Sequence, residues 1–127
     1  LGTVLVLDSP DDIDRKVRKA VTDTETEVRY DPEAKPGVSN LVEILGAATG
    51  RSPTEAAAGY RGYGALKADV AAAVVELLAP VRGRYEELAA DPAQVGAILA
   101  KGAAKATDVA AATLARARDA MGLLPPG

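Results

Sequence analysis

The residues whose chemistry is easiest to interpret are four basic side chains grouped near the start of the chain: Arg15, Lys16, Arg18 and Lys19. On a helix, Arg15, Arg18 and Lys19 would share one face, with Lys16 on its flank. The opposite face would be apolar and would consist of Ile13, Val17, Ala20 and Val21. Such a basic face is either a solvated helix surface or a surface that contacts the phosphate groups of a nucleic acid. These residues alone leave both interpretations open.

The residue types that the chain lacks exclude most kinds of catalytic site. It contains no histidine and no cysteine, and therefore no His general base, no Cys nucleophile and none of the usual nitrogen and sulfur ligands of zinc. Its carboxylates lie mainly at helix starts and on polar faces, where ordinary solvation explains them. We therefore expect no catalytic, cofactor-binding or metal-binding residue in this chain.

Length and composition indicate one helical domain. The chain has 127 residues, of which 48% are hydrophobic and 3% aromatic, a balance that favours helices packed through small side chains over a sheet. A net charge of -3 argues against a surface that is basic throughout, but not against local basic patches. No window approaches the roughly 18 consecutive apolar residues of a membrane span. We expect an all-α protein that is cytoplasmic and makes no membrane contact.

Start signals predict the first three helices. Ser9-Pro10-Asp11-Asp12 supplies an N-cap and a proline at the first helical position. Pro36-Gly37 leads into a helix with apolar residues at helical spacing, which closes at Gly50. Ser52-Pro53-Thr54-Glu55 is a capping box, and its helix is predicted to be short because Gly59 and a turn at Gly62-Tyr63-Gly64 would stop it.

Two longer helices complete the prediction. The central helix has Pro80 inside it, which predicts a kink or a one-turn break. Its apolar stripe consists of Leu66, Val70, Ala73, Leu77, Val81, Tyr85 and Leu88. Asp91-Pro92-Ala93-Gln94 caps the last helix, which is predicted to end at Gly122 and Pro125-Pro126. Gly102 and the Thr107-Asp108 pair could bend it, and the capped, periodic apolar residues among its alanines indicate a packed helix rather than disorder.

The remaining segments lie outside these helices. Residues 3–7 form a short apolar run, which we interpret as an extended lead-in, and the polar residues 22–37 form a loop long enough to suggest a function. The predicted fold is therefore an all-α helical bundle of about five helices with a short extended N-terminal lead-in.

Several motifs of the chain resemble the bacterial tryptophanyl-tRNA synthetases, which are class I aminoacyl-tRNA synthetases. The resemblance in order and spacing begins with Ala20-Val21-Thr22-Asp23, Val28-Arg29-Tyr30-Asp31 and Lys35-Pro36-Gly37-Val38-Ser39-Asn40-Leu41. It continues through Gly62-Tyr63-Gly64, Leu66-Lys67, Glu76, Pro80 and Arg84-Tyr85, and then through Gly102-Ala103 and Ala120-Met121-Gly122. Similar proteins carry an aromatic residue where Leu66 stands. The resemblance covers essentially the whole chain.

This resemblance implies a part of an enzyme that attaches L-tryptophan to tRNA(Trp). Such synthetases form tryptophanyl-adenylate from tryptophan and ATP, with Mg, are cytoplasmic homodimers, and use a His-x-Gly-His loop and a Lys-Met-Ser-Lys-Ser loop. Neither loop is present here, so no catalytic residue carries over. The resemblance implies that residues 9–127 are the C-terminal helical domain on the anticodon side, with Arg15, Lys16, Arg18 and Lys19 as candidate tRNA-binding residues. It also implies that residues 1–8 are the remnant of the connection from a Rossmann-type catalytic domain.

Two other interpretations start from the same residues. The chain could be a free-standing, non-enzymatic helical binding module derived from the synthetase tail, although the exposed apolar run at residues 3–7 fits a severed domain better. A DNA-binding helix-turn-helix would need a recognition helix rich in Arg, Asn or Gln at its start, and no predicted helix supplies one, so we expect no DNA partner. Tyr63 could stack on a base, but we assign it a structural role because a tyrosine beside glycines usually packs in a turn.

Overall fold

The computed structural model describes residues 3–123 of the chain, and within them it contains five helices and no strand. The helices are α1 (Pro10–Arg18), α2 (Pro36–Thr49), α3 (Pro53–Ala57), α4 (Tyr63–Ala90) and α5 (Pro92–Met121). The all-α prediction is confirmed for this part of the chain. The predicted end of the last helix at Gly122 is confirmed, because Gly122 is the left-handed C-cap of α5. Pro125-Pro126 and the first two residues of the N-terminal segment lie outside the described residues.

Side-chain capping explains where three of the helices begin. The Ser9 side chain accepts a hydrogen bond from the Asp12 backbone N–H at the start of α1. Ser52 and Glu55 form the full capping box of α3, and Asp91 caps α5 through the Gln94 N–H. The helix α2 starts with Pro36 and has no side-chain cap. These start positions agree with those predicted from sequence.

The core lies in a first compact unit, residues 1–84. Its buried residues come from α1, α2, α3 and the first part of α4: Ile13, Val17, Val38, Leu41, Val42, Leu45, Ala56, Ala57, Leu66, Val70 and Ala71. The helix α2 packs directly against α3. Gly46 permits the close turn between them, because a Cβ at this position would lie 2.7 Å from the carbonyl oxygen of Arg51.

The first helix is shorter than predicted, and Val21 does not belong to the core. The helix ends at Arg18, and Val21 is 86% exposed. The Nζ of Lys67, on α4, donates to the carbonyl oxygen of Ala20 at 2.7 Å and lies 3.3 Å from that of Arg18. Lys67 thus supplies the last carbonyl of α1 and the Ala20 carbonyl just beyond it with a donor from another helix, and the chain turns away before Val21 can reach the apolar face.

The predicted turn at Gly62-Tyr63-Gly64 is wrong, because Tyr63 and Gly64 are the first residues of α4. The glycine with a left-handed backbone is Gly59, with φ +89°. Of the two stops predicted for α3, Gly59 is therefore the one at which the chain turns. Glycine was a correct turn signal for this region, but it did not indicate which of three neighbouring glycines adopts the positive φ.

The apolar stripe of α4 is buried over its first half only. Leu66 and Val70 are fully buried, whereas Leu77 and Val81 are about half exposed. The helix shows no break at Pro80, contrary to one of the two predicted outcomes. The carbonyl that Pro80 leaves without a helical donor belongs to Glu76, which is an exposed residue. Periodicity identified the apolar face, but not how far a partner covers it.

The second unit, residues 85–127, contains the end of α4 and the helix α5. The 30-residue helix α5 is uninterrupted at Gly102 and at Thr107-Asp108. None of its side chains is buried, so the prediction of a packed helix is wrong as far as burial is concerned. No helix among the described residues combines the length and apolar character needed to cross a membrane.

The N-terminal segment is not fully extended. Residues 5–8 form a turn in which the Asp8 N–H donates to the Leu5 carbonyl oxygen at 3.1 Å and the Leu5 N–H donates to the Asp8 carboxylate at 2.7 Å. The apolar side chains of Leu5, Val6 and Leu7 are about half exposed. The turn therefore presents an apolar surface to its surroundings.

Candidate nucleic-acid interface

The basic residues of α1 lie where the helical face pattern predicts. Arg15 and Arg18 have side chains that are 61% and 59% exposed, and Lys19 is exposed as well. The Lys16 side chain, on the flank, is 24% exposed. Arg15, Arg18 and Lys19 are therefore exposed opposite the buried Ile13 and Val17, and Lys16 lies partly buried beside them. We call Arg15, Lys16, Arg18 and Lys19 the α1 basic face.

Most of the charge on the α1 basic face is paired with nearby carboxylates. Arg15 contacts Asp12, and the Arg18 Nε lies 2.6 Å from the Asp14 carboxylate, which raises the pKa of Arg18. None of the ion pairs among residues 3–123 includes Lys19. Exposed pairs of this kind are weak and easily exchanged, so phosphate groups could replace the carboxylates as partners.

Asp8 connects the N-terminal turn to this surface. Its carboxylate lies 2.5 Å from the Lys16 Nζ, and this hydrogen bond holds the pKa of Asp8 below its ordinary value. Its carbonyl oxygen accepts from Arg82 on α4 at 3.4 Å. A groove of about 330 Å³ lies between the turn and the helix, lined by Thr3, Leu5, Arg15, Lys16 and Lys19. Cations line one part of the groove and apolar atoms line another.

A second charged group, which the sequence did not reveal, surrounds Lys35. Lys35 is only 2% exposed, and its Nζ lies 2.6 Å from Glu25, 3.2 Å from Asp23 and 3.0 Å from the Tyr63 hydroxyl. The Tyr63 hydroxyl in turn donates to Asp23. The three N–H donors of the ammonium group thus have three acceptors. We call Lys35, Asp23, Glu25 and Tyr63 the Lys35 cluster.

The pKa values in the Lys35 cluster favour the charged forms of the ion pair. The hydrogen bond to Glu25 raises the pKa of Lys35, and the hydrogen bond from Tyr63 lowers the pKa of Asp23. Burial raises the pKa of Tyr63, which keeps its hydroxyl protonated as a donor. The second carboxylate oxygen of Asp23 is buried without a hydrogen-bond partner. The other buried side-chain nitrogen and oxygen atoms of the cluster have hydrogen-bond partners.

The Lys35 cluster fixes the path of the loop between α1 and α2. It joins two loop residues to the residue before α2 and to the first residue of α4. Next to it, Gly37 lets the loop pass close to α2, because a Cβ there would overlap the Val21 carbonyl oxygen. Residues separated by 12 and 28 positions meet here, and no local sequence signal could have found them. The structural role assigned to Tyr63 agrees with these contacts.

Comparison with known proteins shows which family the chain resembles. A family model described as tRNA synthetases class I (W and Y) matches residues 2–79, more than half of the chain. The chain belongs to this family. It is 53% identical over 125 residues to tryptophan–tRNA ligase 1 of Streptomyces coelicolor, covering 98% of this chain and 37% of that protein. It is 48% identical over 126 residues to the tryptophan–tRNA ligase of Mycobacterium leprae, with the same coverage.

A solved structure supports the fold of this synthetase family member. The tryptophanyl-tRNA synthetase from Mycoplasma pneumoniae is similar, with a TM-score of 0.75 and 27% sequence identity over 95% of this chain and 38% of that protein's chain. The chain thus spans little more than a third of the length of the relatives that it matches. The family resemblance seen in the sequence motifs is confirmed, and the matched proteins are tryptophan-specific.

Proposed function

We propose that this chain is the C-terminal, tRNA-binding helical region of a tryptophan–tRNA ligase. The observation that carries the proposal is the match of 98% of the chain to about 37% of tryptophan–tRNA ligases. The whole enzyme would attach L-tryptophan to tRNA(Trp) through tryptophanyl-adenylate, with ATP and Mg held by a catalytic domain that this chain does not include. It would be a cytoplasmic homodimer.

In this proposal the α1 basic face contacts tRNA phosphates. Arg15, Arg18 and Lys19 are exposed, and they project from a helix whose other face is fixed in the core by Ile13 and Val17. Rigid placement lowers the entropic cost of binding. These side chains would attract and position the tRNA, whereas the aminoacylation reaction would take place in the catalytic domain.

Salt-dependent binding tests the α1 basic face. The variant Arg15→Gln/Arg18→Gln/Lys19→Gln removes three cations without placing new carboxylates beside Asp12 and Asp14. It should bind a tryptophan tRNA transcript more weakly than the unmodified chain. The slope of log affinity against log salt should flatten by about 0.7 to 0.9 for each phosphate group that the variant no longer neutralises.

The matched control is Lys101→Gln/Lys105→Gln/Arg116→Gln on α5, which changes the net charge by the same amount at another location. Equal decreases in affinity for both variants would attribute binding to net charge and contradict the assignment to α1. Absence of tRNA binding by the unmodified chain would overturn the proposed function itself.

Catalysis gives an independent test. The chain alone should catalyse no tryptophan-dependent exchange of pyrophosphate into ATP, because both ATP-binding loops of the family lie outside it. Exchange by a preparation shown by mass spectrometry to be free of longer synthetase would contradict the assignment. The free-standing binding module remains the second candidate, favoured if the gene encodes no catalytic domain upstream.

A further inference from the structure

The helix α5 carries an exposed apolar face. Although its 30 residues extend over about 45 Å, none of its side chains is buried. Leu99 is 67% exposed and Val109 is 74% exposed. A helix in water gains most of its stability by burying such a face against another element. We therefore expect this face to have a partner.

The sequence of the face is typical of a helix that pairs with a second helix. Apolar or small residues recur at alternating intervals of four and three positions, which brings them onto one stripe along the helix. Glycine and alanine between the larger side chains let two helix axes approach closely. The residues of this stripe, which we call the α5 stripe, are Val95, Leu99, Gly102, Ala106, Val109, Thr113 and Ala120.

Charged residues on and beside the α5 stripe restrict the kind of partner. Arg116 occupies the position of the repeat between Thr113 and Ala120, and Lys105 and Asp119 lie on one flank. None of the ion pairs among residues 3–123 includes any of these three charged residues. A purely apolar partner would leave the charges without counter-charges. The partner therefore has to offer both an apolar stripe and charges of both signs.

We propose that the α5 stripe pairs with the α5 stripe of a second copy of this chain, with the two helices antiparallel. When Val109 of one copy faces Thr113 of the other, Lys105 comes beside Asp119 of the second copy. Two-fold symmetry repeats this contact at the other end of the pair. The inference goes beyond the proposed function, because the homodimer proposed for the whole enzyme does not specify which surfaces meet.

The same register gives Arg116 a counter-charge. Its apolar stem lies over Ala106 of the second copy, and its guanidinium comes near Asp108 of that copy, two residues further along. A parallel pair in register would instead place each of these charges beside a like charge, which repels. The charges therefore favour the antiparallel orientation.

The pairing is weak, because small side chains bury little apolar area, and we expect a Kd of about 10 μM. Measurements of tRNA binding at chain concentrations far below this Kd use the monomer. The variant Lys101→Gln/Lys105→Gln/Arg116→Gln therefore keeps its use as a control for the α1 basic face.

Sedimentation equilibrium tests the pairing. The unmodified chain should be a dimer at about 100 μM and a monomer at about 0.1 μM. Val109→Lys places two ammonium groups inside the pair and should be monomeric at both concentrations. The matched control is Ala111→Lys, which adds the same charge on the opposite face of α5 and should dimerise like the unmodified chain. Circular dichroism checks that each variant folds.

Two outcomes of sedimentation would overturn the proposal. One is an unmodified chain that stays monomeric at about 100 μM, as expected if another part of a longer synthetase covers the α5 stripe. The other is a Val109→Lys variant that still dimerises, which would place the contact elsewhere. Neither outcome bears on tRNA binding by the α1 basic face.

Exchange of charges tests the contact between the copies. Lys105→Asp and Asp119→Lys should each weaken the dimer by about tenfold, and both changes in one chain should restore it. The two residues are 14 positions apart on one helix, or about 21 Å, so they cannot meet within a chain. Recovery therefore requires contact between copies. Normal dimerisation by both single variants, or no recovery in the double variant, would overturn this register.

Disulfide formation tests the orientation, because the chain contains no cysteine of its own. A mixture of Val109→Cys and Thr113→Cys in a thiol–disulfide buffer should yield mainly the mixed disulfide, identified by its mass. The antiparallel register brings these two positions within the Cα separation of about 7 Å that a disulfide permits. Equally strong cross-linking by each variant alone would show a parallel pair and would overturn the proposed orientation.

Discussion

The Lys35 cluster and the α1 basic face contain the same kinds of residues, cations and carboxylates, but they are built differently. Lys35 is 2% exposed, and its cluster joins residues up to 40 positions apart, Asp23 and Tyr63. The Arg15 and Arg18 pairs are exposed and lie within one helix, three and four residues apart. Burial and chain separation therefore distinguish a group that holds the fold together from one that remains available to a ligand.

The energetic reason is solvation. Exposed ion pairs gain little because water and salt already stabilise both charges. A buried cation that loses its partners, or a buried carboxylate that loses its cation, has no such alternative and strongly destabilises the folded state. The same comparison orders the following predictions, from the largest expected effect on stability to the smallest.

Lys35→Met should lower the melting temperature by about 10 °C or more, because it leaves Asp23 and the Tyr63 hydroxyl without their cation. Thermal unfolding followed by circular dichroism at about 222 nm measures this. A decrease of less than about 2 °C would contradict the structural role of the Lys35 cluster. Adding Asp23→Asn to Lys35→Met should cost less than the sum of the two single changes, since both break the same network.

Lowering the pH should remove the contribution of Asp23 to the stability of the fold. Its pKa lies below the ordinary value because Tyr63 donates to its carboxylate. The ionised form therefore stabilises the fold above the unfolded pKa of about 3.9, and this contribution is lost as pH falls through the lower folded pKa. The difference in melting temperature between the unmodified chain and Asp23→Asn should be largest above about pH 5 and should decrease toward about pH 2.

A matched control for the pH experiment is Asp14→Asn on the α1 surface. Its carboxylate is 43% exposed, so its replacement should change the melting temperature little at every pH. If the two asparagine variants respond to pH alike, the distinction between the buried and exposed groups is wrong.

Lys67→Met should have an intermediate effect. It removes the donor to the carbonyls of Arg18, at the end of α1, and Ala20 while keeping most of the apolar stem, and a loss of about 1 kcal/mol is expected for such hydrogen bonds. Urea unfolding with an unchanged m-value measures the loss. Greater hydrogen-exchange protection of residues 15–20 in the variant than in the unmodified chain would contradict the anchoring role of Lys67.

Arg15→Gln/Arg18→Gln should have the smallest effect on stability. The melting temperature should change by about 2 °C or less, because each arginine loses only an exposed partner in its own helix. Repeating the melts in about 1 M NaCl should shrink even this difference. A large loss of stability would mean that the α1 basic face is structural, and would weaken its assignment to tRNA.

The sequence by itself determined where most helices begin and which faces are apolar. Ser9, Ser52 and Asp91 act within three residues of their own positions, so local chemistry is sufficient to place those starts. Periodicity likewise predicted that Ile13 and Val17 are buried and that Arg15 and Arg18 are exposed. The family was also evident from its motifs, before any contact was known.

Only the tertiary structure decided where α1 ends, how Tyr63 is used and which lysine is buried. Lys67 reaches the end of α1 from 47 residues away, and Lys35 meets Tyr63 across 28 residues. Lys35 and Lys19 carry the same charge, but Lys35 is buried against carboxylates from the start of its own loop and Lys19 is exposed. Residue type sets what chemistry a side chain can do, whereas burial and partners depend on chain segments that local patterns do not relate to each other.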